Sequence, residues 1–328
     1  MIEAELSRSV QRWCPGATGV TGAAKLSGGA SQETWRFDIV HPDGPIGAIL
    51  RRSPKGYGAA PTRAAGLAAE AQLMQLAYEA GVPSPRVMHV LAPDEGLGTG
   101  FIMQRVEGET IARKILRDDE FAAARPLLAR QIGGVLAGLH GLPQNKLPEL
   151  RSRSATEEIS EFERDYRSLN WPKPVFELAL CWLRDHDPGP SAETTLVHGD
   201  FRNGNFIIGA DGVRAVLDWE LAHLGDPMED LGWVCVNSWR FGEIDKPVGG
   251  FGSREELFAG YEAAGRKVDP SRVKFWEVMG TLRWGIMCGG MMQRFRERPD
   301  HSMERAMIGR RASETEIDLL RLLAPRGG

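Results

Sequence analysis

Three polar residues stand where they could do chemistry. Asp200 and Asn205 lie in "HGDFRNGNFII" (198–208), and Asp218 ends the apolar run in "GADGVRAVLDWE" (209–220). Polar groups at the ends of buried strands are costly unless they are employed there. Asp211-Gly212 reads as a two-residue hairpin turn, because both central positions of such a turn need φ > 0. With that turn, Asn205 lies directly across from Asp218, with Cβ atoms roughly 5 Å apart. A four-residue turn over 209–212 would instead set Asn203 opposite Asp218 and leave Asn205 on the same face. Either register brings an amide oxygen and a carboxylate to one end of a hairpin. That suits Mg²⁺, a hard cation that takes a few protein oxygens and shares its other positions with water and phosphate.

Asp200 precedes Asn205 by five residues, which is the catalytic-loop spacing of kinases. In that arrangement the Asp accepts the proton of an attacking hydroxyl, and the Asn and a later Asp hold the metal. Any one of these residues alone would be read as a turn cap. Three at this spacing around a well-signalled hairpin favour chemistry.

Such a site needs a scaffold, and the rest of the chain supplies two regions of different character. Up to about residue 100 the sequence reads as strands with one helix. Segment 23–40 is strand, Gly-containing turn, strand, and 45–53 is a strand in which Ile46, Ala48 and Leu50 alternate. Segment 61–81 reads as a helix, with Thr62 as N-cap, Leu67, Met74 and Ala77 in a buried stripe, and Gly81 as its end. Segment 98–108 is a strand leaving this region through a hinge at 104–108. Beyond it the pattern is helical at 121–142, at 157–169 and from 226 onward, with the hairpin as the clear β segment. The expected fold is α+β: a small β-rich lobe over 1–105, a larger, mostly helical lobe over 106–328, and a ligand cleft between them.

Composition narrows the partners. The 328 residues are 42% hydrophobic and 26% charged, with net charge -4 and no block of Lys and Arg, which argues against nucleic acid. Cys14, Cys181, Cys235 and Cys288 are far apart without CxxC spacing, so neither a zinc site nor a disulfide framework is expected. The N-terminal stretch lacks an apolar signal core, and the apolar run 278–292 is short and carries Arg283. These features lead us to expect a cytoplasmic protein with no membrane association.

"LVHGDFRNGNFII" (196–208) and "AVLDWELAHLGDPMEDLGW" (215–233) resemble the catalytic and metal segments of the aminoglycoside phosphotransferase and choline kinase family, which shares the two-lobed protein-kinase-like fold. The resemblance runs from about Leu26 to about Trp284. The wording "LDWELAHLGDP" is most similar to the kinase-like domains fused to some acyl-CoA dehydrogenases. The resemblance implies transfer of the ATP γ-phosphoryl group to a hydroxyl, with Asp200 as base and Mg²⁺ on Asn205 and Asp218. It also implies a loop over the phosphates formed by "LSGGASQETWRF" (26–37), with Ser27, Gly28, Gly29 and Ser31 near them. A Gly-Gly hairpin turn accounts for the same residues. The family's phosphate-binding Lys is absent from the 45–53 strand, and Arg51 stands in its place, with Glu70 as natural partner. By the same resemblance the carbonyl of Gln104 and the amide of Val106 would bond the adenine edge.

Other residues receive ordinary roles. His198 braces the catalytic loop and His140 is a core histidine. Asp226, Pro227 and Glu229 read as N-cap, first-turn Pro and third-position Glu of a helix. The acids at 157, 158, 161, 163 and 165 read as a solvated helix face. Arg294, Arg296 and Arg298 fit either an acyl-CoA phosphate or plain surface, and Met279, Met287, Met291 and Met292 read as core. Trp239, Phe241, Phe275, Trp276 and Trp284 could wall an apolar acceptor pocket. The leading function is a small-molecule kinase acting on a metabolite hydroxyl. The alternatives are an aminoglycoside phosphotransferase and a nucleotide-binding pseudokinase scaffold. A protein kinase is disfavoured, because "DWE" stands where "DFG" would be.

Overall fold

A computed structural model of the chain describes residues 2–26, 32–53, 63–297 and 302–324. The first region holds α1 (Ile2–Trp13), β1 (Gly19–Lys25), β2 (Glu33–Val40), β3 (Ile46–Ser53), α2 (Leu67–Glu79), β4 (Val87–Val90) and β5 (Thr99–Gln104). The strands form an antiparallel sheet in the order β1-β2-β3-β5-β4. Strand period two divides their side chains between two cores. Phe37, Ile39, Ala48, Leu50 and Ile102 meet Leu6 and Val10 of α1. Phe101 and Met103 face Leu67, Ala71 and Met74 of α2, and Ile49 packs on that side. Arg51 is two residues beyond Ile49, so it projects toward α2. The sequence reading had one helix here; α1 is a second, and its two buried apolar side chains cover the far face of the sheet. The α2 helix also begins later than expected, after Gly66 at φ 87. Thr62, the expected cap, lies outside the described residues.

The second region contains α3 (Ala112–Arg117), α4 (Arg125–His140), α5 (Ala155–Ser168), α6 (Pro174–Asp185), β6 (Thr195–Val197), β7 (Phe206–Gly209), β8 (Gly212–Val216), β9 (His223–Gly225), α7 (Met228–Trp233), α8 (Arg254–Ala263), α9 (Pro270–Glu297), α10 (Met303–Gly309) and α11 (Ala312–Leu323). The fold is therefore the two-lobed α+β one. Besides the hairpin, β6 and β9 form a second antiparallel pair not legible in the sequence. The α4 and α8 helices approach so closely that a Cβ on Gly260 would lie 2.0 Å from the Arg130 carbonyl oxygen. No helix among the described residues is long and apolar enough to cross a membrane.

The β7–β8 hairpin departs from both expected registers. Gly209 pairs with Gly212, so Ala210 and Asp211 form the turn, and Gly212 takes φ 122 within β8. A bulge between Ile207 and Ile208 then shifts the pairing by one, to Phe206 opposite Val216. Asn205 consequently faces Leu217, whose N–H donates to the Asn205 carbonyl at 2.8 Å, so neither Asn205 nor Asn203 lies directly opposite Asp218.

Candidate active site

The catalytic loop leaves β6 and is held from behind by Asp230, which is fully buried on α7. Its Oδ2 accepts the His198 N–H at 2.8 Å and its Oδ1 accepts the Gly199 N–H at 3.0 Å. Oδ2 also faces His140 Nε2 at 3.2 Å, and His140 Nδ1 lies 2.9 Å from the Tyr261 hydroxyl. Burial works to raise the Asp230 pKa, but the His140 hydrogen bond and the loop N–H groups hold it below the usual value. Burial lowers the pKa of His198. A neutral ring fits its contacts: Nδ1 accepts the Asp200 N–H at 3.2 Å and Nε2 donates to the Leu217 carbonyl at 3.1 Å. His198 thus ties Asp200 to the end of β8, and His140 is a satisfied core histidine.

The Asp200 carboxylate accepts Trp233 Nε1–H at Oδ1 (2.9 Å) and Asn205 Nδ2–H at Oδ2 (2.7 Å). Arg202 Nε lies 3.0 Å from Oδ1 and 3.2 Å from Oδ2. Asn205 Nδ2 also donates to the Asp200 carbonyl at 2.9 Å. Asp218 follows β8 at φ 66, a left-handed conformation that Asp tolerates better than most residues. This turn lets its carboxylate reach Arg51, whose Nη2 donates to Oδ1 at 2.8 Å.

Arg51 gathers three acids. Its Nε lies 2.9 Å from Glu70 Oε2, off the hydrogen-bond axis, and its Nη2 donates to Glu220 Oε2 at 3.2 Å. Burial opposes its charge, yet Glu70, Asp218 and Glu220 hold its pKa above the ordinary value. Burial raises Glu70, which is 1% exposed, despite the attraction of Arg51. Glu220 is pushed up to about 7 by burial and by the negative charge of Asp218. A guanidinium thus sits on one proposed metal ligand, where a cation is evidently favoured. Among the described residues no cluster of three His, Cys, Asp or Glu is arranged to hold a metal alone. Asn205 and Asp218 would furnish two oxygens, which fits Mg²⁺ completed by nucleotide phosphate and water.

Ser27, Gly28, Gly29 and Ser31 lie outside the described residues, as does Arg298. Gln104 ends β5, and its N–H donates to the Arg86 carbonyl at 2.9 Å. Past Val106, Glu109 and Ile208 exchange backbone hydrogen bonds of 2.9 Å, so the hinge is pinned to the hairpin. Gly108, at φ 151, passes so close that a Cβ there would meet Ile207 Cγ2 at 2.6 Å.

A cavity of about 570 Å³ opens beside the catalytic loop, lined in part by Phe162, Leu169, Ile286, Met287, Met291 and Arg294. Arg283 separates it from the loop. Its Nη2 donates to the Gly199 carbonyl at 3.1 Å, and its guanidinium carbon lies 4.5 Å over Trp233. Several expectations change here. Met287 and Met291 line the cavity, while Met279 is core. Phe275 and Trp276 are core rather than acceptor wall, and Phe241 is exposed at φ 49. Trp239 and Trp284 do lie near the catalytic loop: Trp239 packs at a tilt against Trp233, and Trp284 packs at a tilt against Trp239. Apart from the exposed capping residue Glu157, the acids of α5 are not a solvated face. Glu158 is buried against Arg151, and Glu161 and Asp165 bind Arg63 at 2.6 and 2.7 Å. Asp226 accepts the Met228 N–H as a cap, but Pro227 precedes α7, and Glu229 turns inward to His223 at 3.0 Å.

Asp230, Trp233, Arg202, Glu220 and Arg283 escaped the sequence reading. Asp230 had a visible signal, a second acid one residue after Glu229 in the first turn of an otherwise apolar helix. The others gain meaning only from tertiary contact.

The chain matches the model of a family described as "Phosphotransferase enzyme family" over residues 22–275. It is 30% identical over 199 residues to acyl-CoA dehydrogenase family member 10 of Mus musculus, covering 57% of this chain and 18% of that protein. It is 26% identical over 322 residues to the probable acyl-CoA dehydrogenase IBR3 of Arabidopsis thaliana, covering 88% and 37%. The chain thus spans less than two fifths of the length of these curated relatives. A putative aminoglycoside phosphotransferase from Ralstonia eutropha superposes with TM-score 0.76 at 21% identity, over 97% of each chain. A choline/ethanolamine kinase family protein from Mesorhizobium loti superposes with TM-score 0.66 at 20% identity, over 99% and 94%. The match over most of its length places this chain in the phosphotransferase enzyme family.

Proposed function

We propose that the chain transfers the γ-phosphoryl group of ATP to a hydroxyl of a small metabolite, with Asp200 as the general base. The observation that carries this reading is the commitment of Asn205. Its Nδ2 is spent on Asp200, which leaves Oδ1 as the atom available to a metal. Asp218 supplies the second oxygen, from a turn that Leu217 anchors to both Asn205 and His198. When bound there, Mg²⁺ supplies neutralisation of phosphate charge. Arg51, steadied by Glu70, binds the α/β-phosphates bidentately in place of Lys. The Gln104 carbonyl and Val106 amide hold the adenine edge. The lobe boundary falls at 105/106, so residues 1–105 bind nucleotide and 106–328 carry the catalytic loop and acceptor site. The four free cysteines suit the reducing cytoplasm.

The cavity beside the catalytic loop supports an acceptor with an apolar body, such as a hydroxyacyl thioester, over an aminoglycoside. Each ammonium of a polycationic drug needs an unpaired carboxylate to offset its lost hydration. Of the carboxylates lining the cavity, Glu161 and Asp165 are already bound to Arg63 and Glu297 accepts from Gln293, while Phe162, Ile286, Met287 and Met291 offer apolar surface. The relatives named as acyl-CoA dehydrogenases favour the same choice. Hydroxyacyl-CoAs and kanamycin-class drugs assayed side by side with Mg-ATP decide it. Phosphorylation of acyl compounds is expected; phosphorylation of the drugs alone would overturn the acceptor choice.

A further inference from the structure

Three N–H donors converge on the Asp200 carboxylate, and one of them bridges both of its oxygens. A carboxylate offers about four acceptor sites. Oδ1 meets Trp233 Nε1 and Arg202 Nε, and Oδ2 meets Asn205 Nδ2 and the same Arg202 Nε. These are three donor hydrogens, because the single Arg202 Nε–H is shared between both oxygens, and a hydroxyl that approaches this carboxylate competes with that shared donor. Trp233 is 3% exposed and Asn205 is 6% exposed, and each is locked by its surroundings. The Arg202 side chain is 25% exposed. Its Nη1 approaches the Asn203 carbonyl only at 3.5 Å. Its guanidinium carbon lies 4.6 Å over the ring of Trp239, which packs against Trp233 and Trp284 at 5.2 and 4.8 Å. The resting position of Arg202 is therefore an aromatic perch beside the base, held by an ion pair and a cation–π contact.

We propose that Arg202 is a gate on Asp200. In the resting enzyme it covers the carboxylate, and the γ-phosphoryl group of ATP draws it off. This inference rests on the reading of Asp200 as base. A hydroxyl bonded to Asp200 stands ~3 Å from the carboxylate and roughly 3–3.5 Å from the γ-phosphorus it attacks. The phosphoryl oxygens then lie within reach of a guanidinium pivoting from Asp200, and their planar array matches its donor fork. Moving to them frees the lone pairs that Nε occupied. The hydroxyl oxygen then forms its bond to the γ-phosphorus while the bond to the β-phosphate oxygen breaks. The hydroxyl proton passes to Asp200, and ADP leaves with the electron pair. Arg202 thereby exposes the base when there is a phosphoryl group to transfer, and spreads positive charge over that group during transfer.

The test compares calorimetric affinities for Mg–AMP-PNP and Mg–ADP, which differ in the γ-phosphoryl group. Arg202→Gln is expected to lose on the order of tenfold in AMP-PNP affinity, with ADP affinity within about twofold of wild type. Asp200→Asn, which releases the arginine, should bind AMP-PNP several-fold more tightly and ADP unchanged. That gain should vanish in the double variant. An Arg202→Gln protein with the wild-type ratio of the two affinities overturns the gate, and so does a gain that survives in the double variant. In the wild-type protein, the Arg202 Nε–H resonance, assigned by its disappearance in Arg202→Lys, should shift with AMP-PNP and stay with ADP. An unmoved resonance also overturns the proposal, whether or not Arg202→Gln folds. Wild-type turnover by Asp200→Asn would remove the base assignment itself. An inactive Asp200→Asn beside an unchanged Arg202→Gln would remove the gate alone.

Discussion

Replacing Asp230 with Asn changes almost no volume and should nevertheless disable the catalytic loop. The two carboxylate oxygens serve two backbone N–H groups, of His198 and Gly199, and face His140 Nε2. An amide has one acceptor oxygen and two donor hydrogens. In either orientation one loop N–H confronts an NH₂ group in a site with no exposure. The orphaned donor costs about 1–3 kcal/mol. Losing a buried charge from among its hydrogen-bonded partners brings the total to roughly 3–5 kcal/mol. For a chain of this size that corresponds to a melting temperature lower by roughly 4–7 °C. The loop also sets the position of Asp200, and a shift of about 1 Å at a reacting group typically costs on the order of 10²-fold in rate. Differential scanning fluorimetry and Mg-ATP hydrolysis without acceptor read the two effects. If Asp230→Asn melts and turns over like the wild type, Asp230 does not anchor the loop.

Arg51→Lys should keep more affinity for Mg-ATP than Arg51→Ala, because it retains a cation near Glu70 and Asp218; equal losses would show that the fork geometry is required. Gly260→Ala should destabilise the protein by about 1–3 kcal/mol in urea unfolding, since the new methyl meets the Arg130 carbonyl of α4; an unchanged midpoint would contradict that close approach. His223 is buried, which opposes its charge, but Glu229 raises its pKa above the ordinary value. The protonated pair is therefore fully stabilising below pH ~6.5 and lost as pH climbs through the raised value. The stability gap between wild type and His223→Gln should be wider at pH 6 than at pH 9, and a constant gap would refute this.

The sequence was most legible where chemistry depends on local spacing. Asp200, Asn205 and Asp218 stand out because the roles proposed for them require a fixed distance along a loop and a hairpin. The hairpin itself was visible, but its register was not. The bulge at Ile207/Ile208 is decided by packing against the hinge, where Glu109 pairs with Ile208 and Gly108 presses on Ile207. The α1 helix was missed because only Leu6, Ser9 and Val10 are buried in it, too sparse a stripe to read in one sequence. The acids of α5 were misjudged for the opposite reason. Their spacing matches a solvated face, and their partners Arg63 and Arg184 come from other segments, while Arg151 folds back from the stretch ahead of the helix. Arg202 and Trp233 carry no sequence signature, because what distinguishes them is which carboxylate they touch.

The central claim is that Asp200 takes the proton of an acceptor hydroxyl. Its most direct test incubates the protein with a metabolite pool and Mg-ATP and follows phosphorylated products by mass spectrometry, for wild type beside Asp200→Asn. The wild type should yield a phosphorylated hydroxyl compound. The variant should form it about 10²–10⁴-fold more slowly while binding Mg–ADP as the wild type does. Product formation at a near-wild-type rate by Asp200→Asn would contradict the assignment of the base.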